Sequence, residues 1–213
     1  MKHEFWHDKW QRNEIGFHNS EVHPLLVKHF SGLGQNKGSR IFLPLCGKTL
    51  DIAWLLGKGY RVVGAELSEL AVRQLFEQLG VEPQVEAVGS SLKRFHSEGL
   101  DIFAGDIFEL TGQLLGEVDA VYDRAALVAL PEEMRAQYTR HLVQMTSAVP
   151  QLLVTFEYDQ DLMPGPPFCV SDDEVLQHYA SHYRCTLVDA VAVPGGLKGK
   201  CPADEKVWIL DSN

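Results

Sequence analysis

Arg40-Ile-Phe-Leu-Pro-Leu-Cys-Gly-Lys48, followed by Tyr60-Arg-Val-Val-Gly-Ala-Glu66, decides how the chain is read. An apolar run passes into a Gly-containing turn, a helical stretch carries Ile52, Trp54, Leu55 and Leu56, and a second apolar run ends on a carboxylate. That order predicts strand, turn, helix and strand of an open parallel sheet. Ligands of such sheets sit beyond the carboxyl ends of the strands, and an acidic residue about 20 positions past the Gly turn accepts hydrogen bonds from ribose hydroxyls. Gly47 and Glu66 fit those two roles. Pro44-Leu-Cys-Gly47 offers one glycine and a proline that donates nothing, which suits a pyrophosphate poorly. The expected ligand is therefore a nucleoside without phosphates, and on this architecture the commonest is S-adenosylmethionine.

Working outward, strands and helices alternate from residue 39 onward. Strands are expected at 40–45, 60–65, 101–104, 118–122 and 152–157, with helices at 49–58 and from the N-cap candidate Ser68 to Gln78, where Gly80 stops it. Pro131 opens another helix in which Met134, Tyr138, Leu142 and Met145 recur at helical spacing. Ser171 and Glu174 form a capping-box pattern for a helix through about Tyr183. Strands near 185–193 and 206–210 flank a Gly-rich connection, Pro194-Gly-Gly-Leu-Lys-Gly-Lys200, suited to an antiparallel hairpin at the sheet edge. The alternation specifies an α/β fold with seven strands, mostly parallel, the last inserted antiparallel. Ahead of it, Phe5, Trp6 and Trp10 stand among charges, and residues 21–31 predict a short helix. The segment 1–38 is read as an N-terminal helical lid over the 39–213 core, the whole forming one domain of 213 residues. Asp161 to Phe168, with three prolines, reads as a rigid loop able to wall a pocket.

A formal net charge of -10 argues against nucleic acid and anionic membrane, since phosphate neutralisation needs a basic face. No apolar run approaches the ~20 residues of a membrane span. The four cysteines form no Cys-x-x-Cys pair, and the first residues lack the apolar core of a signal peptide, so a reducing cytoplasm is expected. His3/His7 and His178/His182 have i, i+4 spacing but neither a His-Glu-x-x-His context nor cysteine partners, so no metal is expected.

Seven stretches, in order, carry a resemblance that covers essentially the whole chain. They are Phe5-Trp6 with Trp10, Ile15-Gly-Phe-His18, Phe42-Leu-Pro-Leu-Cys-Gly-Lys48, Val62-Val-Gly-Ala-Glu-Leu-Ser68, Gly105-Asp-Ile-Phe108, Tyr122-Asp-Arg-Ala-Ala-Leu-Val128 and Gly165-Pro-Pro-Phe168. Together they resemble the thiopurine S-methyltransferase family. The resemblance implies a class I, Rossmann-like S-adenosylmethionine-dependent methyltransferase that methylates the sulfur of thiopurines and related aromatic or heterocyclic thiols and releases S-adenosyl-L-homocysteine. It also implies that Trp10, Leu45, Glu66 and Arg124 hold the donor, while Asp106 and Ile107 line the adenine pocket. Relatives of bacterial type are associated with methylation of selenium and tellurium species, a second possibility for the acceptor. A catalytically silent nucleoside-binding module is a third reading.

The side chains have physical readings of their own. Trp10 can place its ring near a sulfonium, or together with Trp6 pin the N-terminal segment to the domain. Arg124 can hold a donor carboxylate or an anionic acceptor by its guanidinium fork, orienting it without general-base chemistry, or pair with Asp123 or Glu157. Phe17 is a candidate to stack on a flat acceptor; His18 beside it is structural or functional. Better-known family members carry an arginine in the late loop where this chain has Lys198-Gly-Lys200, so a lysine there, Lys198 or Lys200 with Lys198 the first candidate, meets the acceptor, supplying charge without the planar fork. A monomer is the expected state.

Overall fold

The computed structural model describes residues 3–213; Met1 and Lys2 of the expected lid lie outside the described residues. Two short helices open the chain, α1 (His3–Gln11) and α2 (Pro24–His29), the second running on into a 3-10 turn at Phe30–Leu33. The helix expected at 21–31 is thus shorter and ends in a tighter coil. Then follow β1 (Arg40–Leu43), α3 (Asp51–Gly57), β2 (Arg61–Glu66) and α4 (Glu69–Leu79). Ser68 accepts the Ala71 N–H at the start of α4, and Gly80 ends it in a left-handed conformation, as the sequence pattern requires.

The next two elements correct the expected strand count. β3 (Gln84–Val88) and β4 (Leu92–Ser97) form a hairpin that pairs antiparallel with β5 (Leu100–Ala104), so the sheet has nine strands, not seven. β3 is a solvent-facing edge and β4 carries Lys93 and Arg94, so neither shows a continuous apolar run. Then come α5 (Gly112–Leu115), β6 (Ala120–Arg124), α6 (Glu132–Thr146), β7 (Gln151–Tyr158), α7 (Asp172–Tyr179), β8 (Tyr183–Ala192) and β9 (Ala203–Ser212). α7 ends at Tyr179, and Tyr183, expected at the end of that helix, instead begins β8. The Ser171 hydroxyl caps α7 by accepting the Glu174 N–H, but the Glu174 carboxylate does not reach back. It pairs with Arg135 and His178.

The strand order is β3-β4-β5-β2-β1-β6-β7-β9-β8. β5, β2, β1, β6 and β7 run parallel, and β9 inserts antiparallel between β7 and β8. Chain order reverses at β1, whose neighbours are β2 and β6. That switch point is where the crossover connections diverge and a crevice opens at the strands' carboxyl ends. Alternation along each strand sends side chains to two cores. Phe42, Val63, Val121 and Leu153 pack with α6 and α7; Ile41, Leu43, Val62, Tyr122 and Leu152 pack with α2, α3 and α4.

On the first face, Arg135 of α6 donates to both Glu174 carboxylate oxygens, at 2.5 and 2.9 Å, and to the Leu130 carbonyl. Arg135 is buried, so removing it strands a carboxylate between two helices. Arg135→Ala is expected to cost about 3 kcal/mol in urea unfolding, with α7 losing amide-exchange protection before the sheet does.

Candidate functional site

A cleft of about 600 Å³ opens at the carboxyl ends of β1, β2, β5 and β6, within the usual range for small-molecule sites. Its floor is built by the turn after β1. Leu45 has φ +46 and Gly47 φ +55, so two residues within three positions lie in left-handed backbone, one of them carrying a side chain. What holds this turn is Glu66. One carboxylate oxygen accepts the Gly47 N–H at 2.9 Å and the other accepts the Ser68 N–H at 2.8 Å. Glu66 is buried; burial pushes its carboxyl above the ordinary range, while N–H groups of Ser68, Gly47 and Leu67 pull the other way. An ionised carboxylate has about four acceptor positions, so with three N–H groups directed at it Glu66 keeps capacity for a ligand hydroxyl.

Above the Gly turn lies α1. Trp10 is buried, and a Cβ added at Gly47 would stand 3.2 Å from its ring. Phe17 meets both Trp10 and Trp6 edge-on, with centroids 5.5 and 5.6 Å apart. The two readings of Trp10 are therefore compatible: its ring lines the cleft and also fixes the N-terminal segment. The Lys48 ammonium lies 6.0 Å from the Trp10 ring centroid. His18 also lines the cleft, and burial, with Lys48 and Arg124 nearby, holds its imidazole below the ordinary value.

Asp106 and Ile107 follow β5. Asp106 caps the 3-10 turn Ile107–Glu109 by accepting the Phe108 N–H at 3.0 Å, and lies 3.3 Å from His3. Ile107 is buried and both line the cleft. Arg124 ends β6, half-buried, and its side chain has no hydrogen-bond or ion-pair partner among the described residues. Neither expected alternative partner is engaged: Asp123 serves Tyr138 and Leu127, and Glu157 serves Lys206. Its guanidinium fork has the geometry to pair with a carboxylate or other planar anion.

The far wall combines the proline loop and the Gly-rich connection. Gly165, Pro166, Pro167, Leu197 and Lys198 line it, and Lys198 donates to the Pro166 carbonyl at 2.7 Å. Burial, Lys200 and Lys9 lower the Lys198 ammonium from its ordinary value. Lys200, the other lysine of that connection, lines a separate groove behind it. Every candidate site residue thus reaches one cleft: Trp10, Phe17, Leu45, Glu66, Asp106, Ile107, Arg124 and Lys198.

The sequence reading passed over Asp51 and Tyr122. Asp51 is buried at the start of α3 and accepts the His23 N–H at 2.8 Å and the Tyr122 hydroxyl at 3.0 Å, tying the segment before α2 to the cleft floor. An acidic residue in the first turn of the helix after a Gly turn was the available signal. No group of His, Cys, Asp and Glu suited to a metal ion occurs among the described residues.

With the antiparallel hairpin β3–β4 set aside, the remaining strands follow the order of class I methyltransferases, and solved structures agree. One neighbour is a 1,6-didemethyltoxoflavin-N1-methyltransferase from Burkholderia thailandensis, solved with 1,6-didemethyltoxoflavin and S-adenosylhomocysteine. It has TM-score 0.66 and 17% identity, over 99% of this chain and 87% of that one. The fold is that of S-adenosylmethionine-dependent methyltransferases.

Sequence comparison narrows the class. The model of the thiopurine S-methyltransferase family matches residues 1–209. Thiopurine S-methyltransferases of Xanthobacter autotrophicus and Gluconobacter oxydans are 56% and 48% identical, the first over 99% of both chains, the second over 96% of this chain and 92% of its own. The chain belongs to the thiopurine S-methyltransferase family.

The Gly47 turn gives a direct test. Gly47→Ala adds left-handed strain of about 1–2 kcal/mol and presses on Trp10. Stability should fall by that amount or more in chemical denaturation, with a change in tryptophan emission as the ring is displaced.

Proposed function

We propose that this chain transfers the methyl group of S-adenosylmethionine to the sulfur of thiopurines and related aromatic or heterocyclic thiols. One observation carries the reading: in a chain of this family, the side chains expected to hold the donor converge on a single cleft at the switch point of the sheet. The residues fit that donor. Glu66 has acceptor capacity left for a ribose hydroxyl, Asp106 and Ile107 flank the place for a base, and Arg124 has no internal anion among the described residues.

The donor brings an activated methyl group on a sulfonium, so the protein's work is alignment and exclusion of water. Glu66 fixes the ribose end and Leu45 supplies backbone in left-handed geometry. Trp10 offers a π face to positive charge, worth about 0.5–2 kcal/mol depending on desolvation. Arg124 orients the donor's carboxylate or an anionic acceptor. Phe17 stacks on a flat ring, and Lys198 places positive charge at the acceptor end. A thiopurine sulfur is anionic or poised to become so near neutral pH, so no general base is assigned. Residues up to 38 act as a lid on the 39–213 core, the whole being one domain.

A selenium or tellurium species is the alternative acceptor. Lys198 favours it, because an ammonium is a point charge that suits a compact oxyanion, where a planar fork suits a carboxylate. The reading also includes a monomeric cytoplasmic enzyme acting on xenobiotic or metalloid compounds; the four free thiols suit a reducing compartment. No described helix is long and apolar enough to cross a membrane.

The test is mass-spectrometric detection of methyl transfer to 6-mercaptopurine, thiophenol, selenite and tellurite in parallel. Methylated thiopurine is expected with the native chain and none with Glu66→Ala. Product from selenium or tellurium alone would shift the acceptor and leave the donor site standing. Arg124→Ala should lower kcat/KM about 10- to 100-fold, the worth of a hydrogen bond to a charged group; unchanged kcat and KM for both substrates would remove Arg124 from the mechanism.

A further inference from the structure

The residue beside Arg124 has no role in the mechanism above, yet it is the most deeply buried ion at the site. Asp123 is completely enclosed and has no cationic partner among the described residues. Successive side chains of a strand point to opposite faces. Asp123 therefore follows Val121 toward α6 and α7, while Arg124 follows Tyr122 toward the cleft, and the adjacent charges do not meet. Burying a carboxylate without a counter-ion is costly. A neutral residue would spare that cost, so the carboxylate must do something there that a neutral group does less well.

What it does is visible in its partners. Beyond Arg124 the chain reverses through Ala125 at φ +62, a left-handed conformation at a residue with a Cβ, and enters the 3-10 turn Leu127–Ala129. One Asp123 oxygen accepts the Leu127 N–H at 3.1 Å, and the Ala126 N–H is directed at the same carboxylate. The other oxygen accepts the Tyr138 hydroxyl at 2.7 Å. The turn so held also carries the wall of the cleft, because Val128 accepts the Phe168 N–H at 2.6 Å and so receives the end of the proline loop.

We propose that Asp123 is a positioning residue for methyl transfer: its ionised carboxylate gathers the N–H groups of the 126–127 turn and thereby fixes Arg124 in the cleft. This rests on the role given to Arg124 above. An ionised carboxylate accepts at both oxygens, whereas a protonated one turns one oxygen into a donor. Protonation turns the carboxyl's hydroxyl toward Tyr138, whose oxygen can accept it, and leaves the 126–127 N–H groups a neutral oxygen, a weaker acceptor than the carboxylate, so the turn loosens.

The groups facing Asp123 are Tyr138 from α6, Tyr179 from α7, whose buried hydroxyl has no hydrogen-bond partner, and apolar Leu153 from β7. None is a cation. Burial raises the Asp123 carboxyl to about 6, against the downward pull of Tyr138, Leu127 and Ala126. Its folded value thus exceeds the unfolded one of about 3.9. Between those values the folded chain holds a proton that the unfolded chain lacks, so stability falls as pH rises through the window and is not regained above it. Ionic Asp123 costs stability where it serves function, and the two effects separate in experiment.

The experiment measures S-adenosylhomocysteine affinity by calorimetry from pH 5 to 8, alongside thermal unfolding and methyl transfer, for the native chain, Asp123→Asn and Tyr138→Phe. The native affinity should fall about tenfold on the acid side of a midpoint near 6. Tyr138→Phe removes a hydrogen bond that favours the ionised form, so its midpoint should move to higher pH. Asp123→Asn should bind at the weak acid-side level throughout, without that midpoint, and with a Tm at pH 7.5 no lower than the native one. His18 also lines the cleft, its imidazole held below the ordinary value by burial, but its contribution would be the same in all three proteins. A midpoint unchanged in both variants, or a Tm of Asp123→Asn that falls in step with affinity, would overturn the inference while leaving the donor site intact. No binding by the native chain at any pH would overturn the donor site and this inference together.

Discussion

The site depends on the Glu66 carboxylate standing between two backbone N–H groups. Gly47 belongs to the turn after β1 and Ser68 to the start of α4, and from the end of β2 the Glu66 side chain reaches both. The constraint propagates. In the same turn Leu45 lies in left-handed backbone, Cys46 donates its N–H to the Ala65 carbonyl, and the Trp10 ring settles close on the glycine, where a Cβ would be tightly crowded. Phe17 then packs edge-on against Trp10, and Trp6 edge-on against Phe17, so the N-terminal segment is anchored beside the Glu66 hydrogen bond.

The central fold was legible because it rests on local chemistry. Ser68 as a cap, Gly80 as a stop, Pro131 before a helix and the apolar runs ending at Glu66 and Arg124 each state their structure within a few residues. The β3–β4 hairpin was not legible, since its exposed outer strand has no face to bury and its ladder is specified by partners elsewhere in the sheet. Tyr183 was misread for a related reason. Its ring is buried and receives a hydrogen bond from Gln151, a contact that fits an apolar helix end and a strand start equally well until the partner is known.

The site divides along the same line. Glu66 and Arg124 end apolar strands, and that position alone marks them. Asp51 and Asp123 act through partners 71 and 15 positions away, Tyr122 and Tyr138, and a sequence does not display such pairings. The late loop shows a further limit: Lys198 and Lys200 differ by two positions and look equivalent in sequence. The left-handed backbone at Lys198 and its hydrogen bond to the Pro166 carbonyl go with a place on the cleft, whereas Lys200 lines the groove behind.

Glu66 and Asp123 solve one problem at two strand ends. β2 and β6 flank β1, and each ends beside a turn whose N–H groups would otherwise face a low-dielectric interior without acceptors. A neutral side chain offers fewer lone pairs, so a carboxylate is the smallest group able to satisfy two backbone donors and still accept more. In both places burial raises the carboxyl above its ordinary range. The cost falls on the folded state at neutral pH. The cleft between them, with an unpaired guanidinium on its rim and an aromatic ring on its roof, gains its geometry from charges that the core alone would exclude.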